Sequence, residues 1–77
     1  MSIDVKLYVV TDTLSRVLMI TTNPPDGSSG LVYEFDIRCG IVVAIRSGGV
    51  SYNYVRLASG KSIRSGCQFD ANEILGV

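Results

Sequence analysis

The sequence predicts an all-β protein: a small single-domain barrel or strongly bent antiparallel sheet of five to six short strands, with at most one short helical turn near the C-terminus. Three observations carry this expectation. Apolar residues recur with a period of two, the stretches between them are rich in Gly, Asn, Asp and Ser, and only the segment from Asp70 onward holds a helix-start signal. At 77 residues the chain reads as one domain, residues 1–77, without a linker, an internal repeat or a low-complexity tract.

The first strand is the clearest. Ile3, Val5, Leu7 and Val9 alternate with Asp4, Lys6 and Tyr8, as they must when one face packs and the other meets water. Asp12 supplies turn chemistry to residues 11–15, and residues 16–22 form a strand whose apolar Val17, Leu18, Met19 and Ile20 fall on both faces. A two-sided strand belongs at the centre of a sheet or at an interface. Asn23-Pro24-Pro25-Asp26-Gly27-Ser28-Ser29-Gly30 is a surface loop, because adjacent prolines remove donors and Asp-Gly and Ser-Gly favour turns.

Beyond the loop, Leu31, Tyr33, Phe35 and Ile37 alternate with Val32, Glu34, Asp36 and Arg38, giving a strand with an acidic outer face. Gly40 marks a bulge or bend before the apolar run 41–45. Ser47-Gly48-Gly49 is a tight hairpin connection, since glycine supplies the positive φ that such turns require. Residues 50–57 and 62–69 are the last two strands, joined by Ala58-Ser59-Gly60-Lys61, with Ile63, Cys67 and Phe69 on one side of the final strand. Asp70 and Glu73 have capping-box spacing, which places one helical turn over residues 71–75.

A net charge of zero conceals a division. Residues 37–69 hold Arg38, Arg46, Arg56, Lys61 and Arg64 and no acid, whereas the rest of the chain has Lys6 and Arg16 against seven acids. The block is +5 and the remainder −5. Such a split either pairs neighbouring strands within one fold or forms a docking surface.

Within the basic block, Tyr52, Tyr54 and Arg56 recur two apart, which on one strand sets two rings and a guanidinium on a single face. With Arg46, Lys61 and Arg64 as surrounding charges, this is the candidate partner-binding site. Tyr and Arg are favoured at protein interfaces. The expected function is therefore a non-enzymatic module that self-associates and occupies a surface of a protein partner, as a regulator, adaptor or inhibitor. The same face could stack single-stranded nucleic acid or RNA on its tyrosines, but nucleic-acid binders usually show a positive excess and this chain has a pI of about 6.0. The tyrosines would serve equally as cross-strand packing residues.

Signals for catalysis are sparse. The chain has no histidine, the side chain whose ordinary pKa lies nearest neutrality. Glu34 and Asp36 point to one strand face and could form an acid and base pair or hold a hard cation; an acidic strand face more commonly meets water or basic neighbours. No cofactor or metal is expected. Cys39 and Cys67 lack metal-binding spacing. Whether they are bonded depends on a Cα separation that sequence does not supply; two buried thiols are the expectation.

An apolar fraction of 47% with only 18% charged residues exceeds what a small core can hide. We read the surplus, at residues 17–20 and 41–45, as a surface for homo-oligomerisation. Neither a signal peptide nor a membrane-spanning run of ~20 apolar residues is present, which gives a cytoplasmic expectation and no membrane partner.

Overall fold

The computed structural model describes residues 4–27 and 30–76. Ile3 of the first predicted strand, and Ser28 and Ser29 of the loop, lie outside the described residues. Five antiparallel strands, β1 (Asp4–Thr11), β2 (Val17–Thr21), β3 (Val32–Arg38), β4 (Ile41–Ser47) and β5 (Val50–Tyr52), form one sheet in the order β2-β1-β3-β4-β5. Strands β6 (Tyr54–Arg56) and β7 (Ser62–Arg64) form a second, two-stranded sheet, and a short helix α1 (Ala71–Leu75) follows. The first sheet is open, with β2 and β5 as its two edges.

Turn chemistry sets this topology. Gly48 and Gly49 both have positive φ, at 58° and 80°, and connect β4 to β5 as a two-residue hairpin whose twist matches that of the strands. Cys39 and Gly40, at 54° and 77°, make the same kind of turn between β3 and β4. Gly40 is thus half of a hairpin connection rather than the bulge or bend before the run 41–45 that the sequence suggests. Gly30 allows a close approach: a Cβ there would stand 1.9 Å from the Thr11 carbonyl oxygen, where the Thr11 amide donates to the Leu31 carbonyl at 2.9 Å.

Cross-strand partners share a sheet face. The row Leu7, Phe35, Ile45 and Tyr52 lies on the inner face, and the row Tyr8, Glu34, Arg46 and Ser51 on the outer one. The inner face is the core: Val9, Tyr33, Phe35, Ile37, Val42 and Ile45 are buried, and Val55, Leu57 and Ile63 complete the cluster from the second sheet and its flank. Full burial of a side chain such as Phe35 or Ile45 contributes about 1.5–3 kcal/mol. Phe69 packs on the same core, its ring 5.8 Å from that of Phe35.

The last two strands are shorter than the sequence implies. Residues 50–57 split at Asn53, whose carbonyl accepts from the Ser65 amide at 3.0 Å. Strand β7 stops at Arg64, where a turn through Gly66 (φ 93°) closes with the Cys67 amide on the Arg64 carbonyl at 3.2 Å. Residues 66–69 then bond to the start of β4, through Val42 and Gly40. Seven strands replace the expected five to six for this reason. Helix α1 matches its expected bounds, with Asp70 Oδ1 accepting from the Glu73 amide at 3.2 Å.

Both cysteines are free and exposed, which corrects the expectation of buried thiols. Cys39 occupies a solvent-facing hairpin turn, and the Gly66 turn rotates Cys67 out of line with Ile63 and Phe69. Among the described residues no helix is long and apolar enough to cross a membrane.

Candidate functional site

Strands β6 and β7 sort their side chains by alternation. Val55 opposes Ile63, and both are buried; Tyr54 opposes Arg64 and Arg56 opposes Ser62, and all four are exposed. The outward face of this hairpin therefore carries a ring, two guanidiniums and a hydroxyl. Tyr54 is 54% exposed, more than a packing role requires.

Tyr52 reaches the same place by another route. It opposes Ile45 at the sheet edge, and its ring meets that of Tyr33 edge-on, with centroids 6.0 Å apart and planes at 77°, a favoured aromatic geometry. Tyr33 is a buried support beneath it, and burial, followed by the neighbouring Tyr52, raises the Tyr33 phenol above its ordinary pKa. A hollow of ≈ 360 Å³ is lined by Tyr33, Tyr52, Asn53, Tyr54, Val55 and Arg56. Tyr52, Tyr54 and Arg56 thus share one concavity, although the single strand expected to align them is broken at Asn53.

The remaining predicted site residues divide. Arg64 joins the face as the cross-strand neighbour of Tyr54. Lys61 lies in the turn before β7 and pairs with Glu73 at 3.4 Å. Arg46 is on the outer face of the first sheet, opposite in sense to Tyr52. Its Nε donates to Glu34 Oε2 at 3.0 Å and its Nη2 donates to Asp36 Oδ2. Asp36 first, and Glu34 second, raise the pKa of the Arg46 guanidinium.

Glu34 also accepts from the Tyr8 hydroxyl at 3.3 Å and lies 3.8 Å from Lys6 Nζ. The two carboxylates do share a strand face, as alternation requires, and the Arg46 guanidinium bridges them. A second hollow, of ≈ 290 Å³, is lined by Asp4, Lys6, Asp36 and Arg38, whose charges are all taken up in ion pairs. No group of three or more His, Cys, Asp or Glu residues is arranged to hold a metal among the described residues.

Sorting the charges by partner isolates two residues. Lys6, Arg16, Arg38, Arg46 and Lys61 each meet a carboxylate. Arg56 and Arg64 meet none among the described residues, and both lie on the outward face of β6 and β7. Tyr33 and Asn53 are the parts of the site that sequence reasoning passed over. Asn53 had a usable signal, because asparagine is depleted from strand interiors; Tyr33 looks like any core residue of an alternating strand. Compared with protein-family models, with curated protein sequences and with solved structures, the chain matches none of them.

Proposed function

We propose that the protein is a non-enzymatic binding module that self-associates and acts by occupying an acidic surface of a protein partner, as a regulator, adaptor or inhibitor of a larger assembly. One observation carries the reading: two arginines without ion-pair partners among the described residues flank an exposed tyrosine on one small face. Desolvating a guanidinium against a carboxylate gives a directional, frequently bidentate contact, and a rigid ring beside it supplies contact area at low entropic cost.

A protein surface suits this face better than a nucleic-acid strand. Affinity for nucleic acid accumulates with each phosphate neutralised, and the face offers two cations without ion-pair partners among the described residues, in a chain of zero net charge. The reading is tested by affinity capture from the native host with mass spectrometry, in parallel with titration of a labelled single-stranded oligonucleotide at two salt concentrations. The expected result is a captured protein that is lost on Arg56→Glu and Arg64→Glu substitution, with no oligonucleotide binding. Oligonucleotide affinity that falls steeply with salt would overturn it in favour of a strand-binding module.

A further inference from the structure

We infer that the tyrosine hollow beside β6 is the socket for an aromatic side chain from an extended acidic segment of the partner, and that Arg56 and Arg64 receive two carboxylates spaced two residues apart in that segment. The inference rests on the protein-partner reading above and names the chemistry of the partner. Tyr33, Tyr52, Tyr54 and Arg56 line the hollow of ≈ 360 Å³, and no acidic residue does. This volume is at the small end of ligand pockets, which run from about 300 to 1,000 Å³. It suits one side chain of a larger partner.

The walls of the hollow are held by the fold itself. Tyr33 is 9% exposed and supports Tyr52 edge-on. The Asn53 carbonyl, at the break between β5 and β6, is tied to the Ser65 amide at 3.0 Å. Tyr52 and Tyr54 remain 39% and 54% exposed, so ring surface is left uncovered. An incoming ring gains offset or edge-on contacts with these tyrosines beyond the area it buries, which an aliphatic side chain does not.

An extended chain fits the charges. Arg64 opposes Tyr54 and Arg56 opposes Ser62, so the two arginines stand diagonally across the hairpin, about 7–8 Å apart at Cβ. Alternate residues of an extended peptide lie on one side about 6.4–6.8 Å apart, which brings carboxylates two residues apart into register with both guanidiniums. Arg64 also borders a hollow with Asp70 and Glu73, but Glu73 is held by Lys61 at 3.4 Å and Asp70 accepts from the Glu73 amide. A second copy does not supply the segment. The chain's only acids two apart are Glu34 and Asp36, which lie in the central strand β3 and are bonded to Arg46.

The test is fluorescence polarisation of the labelled peptide Glu-Ser-Glu-Ser-Phe-Ser-Glu-Ser-Glu, whose symmetry about Phe serves either chain direction, titrated with the full chain. Circular dichroism establishes that each variant is folded. We expect saturable binding that weakens about tenfold or more in Tyr54→Ser, in Arg56→Ala and when the peptide's Phe becomes Ala. Moving the acids side by side, as Glu-Glu-Ser-Ser-Phe-Ser-Ser-Glu-Glu, should weaken it too. Arg38→Ala, which removes a cation from the first sheet, should leave binding unchanged. Equal binding of the Phe and Ala peptides would overturn the aromatic socket, and equal binding of the two acid spacings would overturn the extended register; either result keeps the acidic-partner reading. Adenosine monophosphate that displaces the peptide and binds more tightly would overturn the inference in favour of a nucleotide site. Absence of binding to any peptide by the folded parent would overturn it as well, while a host protein captured through Arg56 and Arg64 would keep the proposed function.

Discussion

On the outer face of the first sheet, Lys6, Arg38 and Arg46 each meet a carboxylate. On the outward face of β6 and β7, Arg64 opposes a tyrosine and Arg56 a serine. Both faces carry cations and tyrosine set out by the same alternation, and they differ in what the register sets opposite each cation: acids in the first, a tyrosine and a serine in the second. In the first, each cation is paired within the sheet; in the second, neither arginine meets a carboxylate among the described residues. A tally of charge along the chain cannot separate these cases, because Arg46 and Arg56 belong to one basic block. Strand register does separate them.

The two faces share one core, so the most severe disruption should remove both. Phe35 is fully buried and meets Phe69 across the layers. Phe35→Ala should destabilise the fold by about 3–5 kcal/mol, a large part of the roughly 5–15 kcal/mol typical of a whole domain. Urea denaturation followed by circular dichroism measures this. A loss under about 1 kcal/mol would mean that the site is not fixed to this core.

A sharper division is expected between the arginines. Arg46→Ala leaves Glu34 and Asp36 as adjacent carboxylates without their bridge, and should lower the urea midpoint. Arg56→Ala and Arg64→Ala remove no ion pair among the described residues and should stay within about 0.5 kcal/mol of the parent, as is usual for surface changes. Equal losses at Arg46 and Arg56 would erase the distinction between the two faces.

Acidification should act through Asp12. Asp12 has its pKa lowered, first by the hydrogen bond from the Arg16 amide to Oδ1, at 3.0 Å, with the Leu14 amide and the Arg16 side chain also donating to it. A carboxyl whose folded pKa lies below its unfolded value contributes stability above the unfolded value, and this is lost as pH falls through the lowered folded value. The parent should lose stability on moving from neutral to acidic pH, and Asp12→Ala should lose less over the same interval. Denaturation curves for both chains at the two pH values check the difference, which should be the smallest of the three effects.

Local chemistry was legible wherever one residue type had one outcome. The Ser47-Gly48-Gly49 hairpin, the helix begun by Asp70 and the alternation of Tyr33, Phe35 and Ile37 follow from sequence because each is decided within a few residues. Cys39 was misread because a left-handed conformation at a non-glycine residue is imposed by the hairpin around it. Cys67 depended on the Gly66 turn, which looks like any glycine in a strand. Of the candidate site, Tyr54 and Arg56 were legible as i and i+2 neighbours and Arg64 as a nearby charge, while the placement of Arg46 on another face and of Arg64 directly opposite Tyr54 required the pairings of β4 and β7. Those are long-range contacts, and no local pattern encodes them.

Host proteins captured by the parent chain, by Arg56→Glu/Arg64→Glu and by Arg46→Ala, each first shown to be folded, decide which face binds. A partner should be retained by the parent and by Arg46→Ala and lost from the double variant. A partner retained by Arg56→Glu/Arg64→Glu and lost from Arg46→Ala would contradict it.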